Sequence, residues 1–145
     1  MKGRPSPSLS LPLSAPQSLR AARLWAAAWA VLLLALTSWP GPPQVPILSG
    51  IPDFDKLVHG VLYAVEAFLL YRSVKWPGRP RFAFSRVLVI LGVMAVWGVA
   101  DETHQTWIPG RSVEGGDVAA DVTGAAAGAL AASLASRPRP RAVSL

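Results

Sequence analysis

Cysteine is absent from this 145-residue chain, and charge is scarce. Without a thiol there is no disulfide framework, no Cys-ligated zinc and no thiol nucleophile. Charged residues make up 15%, against roughly 25% in average soluble domains. The sequence also lacks a P-loop, a dinucleotide fingerprint, a GxSxG elbow and the HExxH zinc motif. What is there is mostly apolar: 52% hydrophobic residues and a mean hydropathy of +0.38. Such a composition excludes a disordered chain and argues against an ordinary soluble enzyme. It points to a membrane protein.

The 14 prolines leave four apolar stretches uninterrupted. They run over 24–39, 56–72, 86–100 and 118–136. Each is slightly short of the ~20 residues that cross a hydrocarbon core as a helix. Snorkelling Arg20, Arg23 and Arg86, with Trp25, Trp39, Trp76 and Trp107 near the ends, extend them to the interfaces. The first stretch is apolar all round, which disfavours a small soluble bundle. It also resembles the core of a signal peptide, but no A-x-A site follows it, so a retained helix is the better reading. The expectation is an all-α polytopic membrane protein with four transmembrane helices over residues 18–136. Residues 1–17, rich in Ser and Pro, and the basic residues 137–145 read as tails.

Basic residues set the orientation. Twelve of the 14 lie at the N-terminus, between the second and third stretches, or at the C-terminus. Only Lys56 and Arg111 fall on the other side, where seven of the eight acidic residues gather. The positive-inside rule then places both termini in the cytoplasm. It also explains a pI near 10.8 without nucleic acid as a partner.

Polar groups cluster where three stretches meet the outer surface. The spacing of Asp55, His59, Tyr63 and Glu66 places them on one helical face, with Lys56 beside the first. Asp101 and Gln105 are i, i+4 neighbours if the third helix continues past Ala100, with Glu102 between them. Asp117 and Asp121 repeat that spacing at the start of the fourth, and Arg111 follows the Pro109-Gly110 turn. Charges near a bilayer are costly unless they face partners or water, so they mark function. The alternative is a structural clamp in which Lys56 and Arg111 neutralise carboxylates. Glu66 lies deeper, as a neutral hydrogen-bonded acid or a proton relay. No metal-ligand spacing stands out, and no metal or cofactor is expected. Gly124 and Gly128 form a small-xxx-small stripe for helix packing, or for a homo-oligomer contact.

Two stretches carry a family resemblance. The run DKLVHGVLYAVEAFLL from Asp55 is similar to the D-K-x-x-H-x-x-x-Y motif of VanZ-like membrane proteins. The run DETHQTWIPGRSVEGGDVAADVTGAAAG from Asp101 resembles their second motif, and together the match spans roughly residues 53–130. The resemblance places the family signature on Asp55, Lys56, His59, Tyr63, Glu102, Gln105, Arg111, Asp117 and Gly124. Asp121 stands where Asn is usual, and Glu66 where an apolar residue is usual. The family takes its name from a member linked to teicoplanin resistance, which implies a cell-envelope role. It implies no particular chemistry; with the placement of the charges, the leading reading is a multi-pass protein of the bacterial inner membrane whose outward polar site binds or modifies a cell-envelope component.

Three functions remain open on the residues themselves. One is a binding protein in which Lys56 and Arg111 hold an anionic group. Another is a membrane-embedded enzyme with Glu102 or His59 as general base. The third is a proton-linked transporter using Glu66. The charge asymmetry predicts that alkaline phosphatase fused after Pro109 is active and that a C-terminal fusion is inactive. The opposite pattern would reverse the topology.

Overall fold

The computed structural model describes residues 19–41, 53–76, 83–111 and 114–136. They form four helices: α1 (Leu19–Thr37), α2 (Phe54–Ser73), α3 (Ala83–Gln105) and α4 (Gly115–Ala135). The tails expected at 1–17 and 137–145, with their basic residues, lie outside the described residues, as do Arg79 and Arg81. No strand occurs among the described residues.

Three helices, α1, α3 and α4, are long and apolar enough to cross a membrane. α2 is similar in length at 20 residues, but Asp55, Lys56, Glu66 and Arg72 interrupt its apolar run. Hydropathy alone therefore separates it from the other three.

Contacts fix the direction of every helix. Arg23 Nε donates to the Ser73 carbonyl, and Trp29 Nε1 donates to the Leu62 carbonyl, so α1 and α2 run antiparallel. Tyr63 meets Asp101 on α3, and Thr37 at the end of α1 meets the same carboxylate. The closest approach is between α2 and α4, which run parallel: Gly124 faces the Gly60 backbone, and Gly128 faces that of Ala64. Glycine is required at both positions, because a Cβ there would collide with main-chain oxygen and carbon of α2. The glycine stripe thus serves packing within the chain. Lipid tails are as apolar as leucine, so close van der Waals contact, rather than water exclusion, holds such helices together.

The core is thin and built from small or slender groups. Leu33, Tyr63, Tyr71, Val87, Ile90 and Met94 are buried with Ala67, Ala125, Ala129 and Ala132. On α3 the buried positions 87, 90, 94, 98 and 101 recur every three or four residues, a single helical face. Val31, Leu34, Val89, Val96 and Leu134 point outward, as apolar side chains must where the solvent is lipid.

These directions bring the start of α1, the end of α2, the start of α3 and the end of α4 to one end. That end carries Arg20, Arg23, Arg72, Lys75 and Arg86. Arg86 stacks over Trp76, with its guanidinium 5.8 Å from the ring centroid. The other end collects the acidic residues. The packing predicts that Gly124→Ala and Gly128→Ala each cost about 1–3 kcal/mol through overpacking. Gly92, with nothing within 4 Å of an added Cβ, should tolerate alanine. Thermal melts in one detergent compare the three; equal melting temperatures would contradict the parallel α2–α4 contact.

Candidate functional site

The third helix does not stop at Ala100. It continues one and a half turns to Gln105, so Asp101, Glu102 and Gln105 stay helical and face inward. Each is at most 6% exposed. They meet Tyr63 and His59 on α2 and Asp117 and Asp121 on α4, at the acidic end of the bundle.

Asp101 joins three helices. One carboxylate oxygen accepts from Thr37 Oγ1 at 2.7 Å, and the other accepts from the Tyr63 hydroxyl at 3.2 Å. Buried carboxylates need such donors, since an unpaired one forfeits its hydration. Thr37 carried no signal in the sequence beyond being a hydroxyl near the end of an apolar run. Gly98 was equally silent. A Cβ there would lie 3.3 Å from Asp121 Oδ2, so the missing side chain makes room for that carboxylate against α3.

Asp121 is fully buried and holds His59, with Oδ1 3.0 Å from Nδ1. With Asp121 ionised, the imidazole donates its Nδ1–H to Oδ1, and Nε2 is the nitrogen turned away from that carboxylate. The second oxygen of Asp121 is buried without a hydrogen-bond partner among the described residues. Glu102 accepts from Gln105 Nε2 at 3.3 Å and from the Glu114 amide at 3.4 Å, tying α3 to the start of α4.

At the rim, Lys56 Nζ lies 3.2 Å from Asp55, 3.0 Å from Glu114 and 3.5 Å from Asp117. The ligand oxygens of those three acids lie within 4.8 Å of one another, a spacing compatible with a cation, and the lysine ammonium sits among them. Arg111 was expected beside a carboxylate. Instead its guanidinium donates to the carbonyls of Leu36 (2.9 Å), in the last turn of α1, and Trp39 (3.3 Å), just beyond it. It caps α1 because the turn through Gly110, at φ 80°, folds back against Gly41. Both outer cations are thus engaged by the chain itself. That counts against an anion held by Lys56 and Arg111 together.

Two further features stand nearby. Ser38 Oγ lies 3.1 Å from His104 Nε2, joining the ends of α1 and α3. Glu66 is buried one turn below Tyr63, and its Oε2 has no hydrogen-bond partner among the described residues. Of the residues expected from the sequence, His59, Tyr63, Glu102, Gln105, Asp117 and Asp121 converge inside, Asp55 and Lys56 form the rim, and Arg111 stands apart.

Burial decides which pairs matter. The His59 side chain is 12% exposed and that of Asp121 0%, so removing one partner strands a buried polar group at about 3–5 kcal/mol. Asp55 is 57% exposed, so solvent screens its bond to Lys56 and the pair contributes little. Asp121→Ala should therefore lower the melting temperature far more than Asp55→Ala. A His59→Ala, Asp121→Ala cycle should give a coupling of about 0.5–3 kcal/mol. Additive losses would remove the His59–Asp121 pair.

The sequence profile described as VanZ/LLP1 matches residues 10–136, most of the chain and all four helices. No curated protein and no solved structure matches. Motifs and match agree, and the chain is a member of the VanZ/LLP1 family of membrane proteins.

Proposed function

We propose that the chain is a multi-pass protein of the bacterial cytoplasmic membrane whose outward-facing polar site binds a cell-envelope component. α2 completes four crossings, and both termini are cytoplasmic. The observation that carries this reading is the convergence of Asp101, Glu102, Asp117 and Asp121 from two helices onto His59 and Tyr63 of a third, all at one end. Burying four carboxylates at a membrane edge is costly, and costs of that kind persist where they serve a site. The alternating helix directions and the basic opposite end support the topology. With four carboxylates inside, the site suits a ligand that brings N–H or O–H donors, such as an amine or a polyol glycan.

A second reading, an enzyme acting on an envelope lipid or glycan, is favoured by the His59–Asp121 pair alone. A buried carboxylate on Nδ1 is how a histidine is oriented to use Nε2 as a general base.

Mass spectrometry of what copurifies with the detergent-solubilised chain tests both. Binding predicts an enriched envelope component that is recovered unchanged and falls several-fold in His59→Gln and Glu102→Gln at equal membrane abundance. Catalysis predicts a converted product, with the rate down ~10²–10⁴-fold in His59→Gln. No enrichment over an unrelated four-helix membrane protein would defeat the binding reading.

A further inference from the structure

A groove of about 540 Å³ runs along the lipid-facing side of the α2–α4 contact. Gly60 and Gly124 form its floor, and Leu57, Val61, Thr123 and Ala127 are among its walls. Those four wall residues are exposed. The one hydroxyl there, of Thr123, is turned back onto the Ala119 carbonyl at 2.7 Å, so it presents no donor to the groove. From Lys56 to Ala64 the groove follows α2 for roughly 12 Å at 1.5 Å per residue. Its shape follows from the glycines: helices that touch through backbone leave a smooth apolar valley beside the contact.

Its outer end is Lys56, and there the chemistry changes abruptly. Three carboxylates, Asp55, Glu114 and Asp117, surround one ammonium. The Asp55 and Glu114 side chains are 57% and 50% exposed. Asp117 is 7% exposed, and among the described residues its Oδ1 has no hydrogen-bond partner, with the Lys56 ammonium 3.5 Å away. The cluster keeps an excess of negative charge and an acceptor short of a donor, directly above an apolar valley.

We propose that this groove and rim bind an aminophospholipid of the phosphatidylethanolamine type. An acyl chain lies along Gly60 and Gly124, the primary ammonium donates to the Asp55, Glu114 and Asp117 carboxylates, and the phosphate meets Lys56. Charge complementarity selects this headgroup. Phosphatidylglycerol brings only negative charge to an acidic rim, and the quaternary ammonium of phosphatidylcholine has no N–H to give. The proposal rests on reading this end as a ligand-binding end. It shares only Asp117 with the inner site, and its tests change Asp55, Glu114, Thr123 and Ala127, which lie outside that site, so one can fail without the other.

Native mass spectrometry of the full chain, titrated with the three phospholipids at matched acyl length, tests it. One phosphatidylethanolamine should be retained at about tenfold lower free lipid than either competitor. Ala127→Phe, which fills the valley from an exposed position, should weaken all three lipids; Thr123→Leu is the second variant if that one misfolds. The pair Asp55→Asn and Glu114→Gln should keep lipid binding but lose the headgroup preference. Val96→Ala, exposed on α3 and outside the groove, should leave retention unchanged. Equal or tighter binding of phosphatidylglycerol would overturn the proposal. So would unchanged retention in folded Ala127→Phe and Thr123→Leu, or displacement of phosphatidylethanolamine by calcium alone, which would make the rim a cation site.

Discussion

The parallel contact of α2 with α4 through glycine sets the register of everything at the polar end. With Gly60 against Gly124 and Ala64 against Gly128, the same register, carried toward the acidic end, places His59 beside Asp121 and Lys56 beside Asp117. A side chain at either α4 glycine would push the helices apart and lengthen each of those polar distances. Hydrogen bonds weaken steeply beyond about 3.5 Å, so a small shift in packing becomes a large loss at the site. The same contact leaves the smooth lipid-facing valley beside it.

Acidic groups here are organised in two layers. The inner layer is buried, and three of its carboxylates have specific donors: Asp101 with Thr37 and Tyr63, Asp121 with His59, Glu102 with Gln105 and an amide. The outer layer, around Lys56, is half-exposed and shared among several charges. Charges so exposed are screened by solvent, so the individual pairs of that layer contribute little to stability. The inner layer is where removing one partner strands another. Histidine pairing and helix docking depend on it together, which merges the clamp and the site into one structure.

Several features were legible in the residues before any fold was known. Prolines bounded the apolar stretches, and the sequence-based bounds lie within five residues of the helix ends. The i, i+4 spacing of Asp117 with Asp121, and of His59 with Tyr63, named groups that do face inward. The largest miss was at Ala100. An apolar run ends there, but the helix does not, because its next turn is polar on a face covered by other helices. The i, i+4 spacing of Asp101 and Gln105 allowed for that continuation, but not for Asp101 joining α1, α2 and α3 through Thr37 and Tyr63. The place of Arg111 was not legible: sequence shows its charge but not that the turn brings it to the Leu36 and Trp39 carbonyls.

Composition, proline placement and charge asymmetry by themselves determined a helical membrane protein with one basic and one acidic end. Those properties follow from the cost of exposing backbone and charge to lipid, which each segment meets on its own. Tertiary structure alone decided which acid meets which donor. It also decided that the glycine stripe packs inside the chain, and that Gly98 and Thr37 belong to the site. Such pairings depend on distances between helices far apart in sequence, set by a backbone contact that no local pattern specifies.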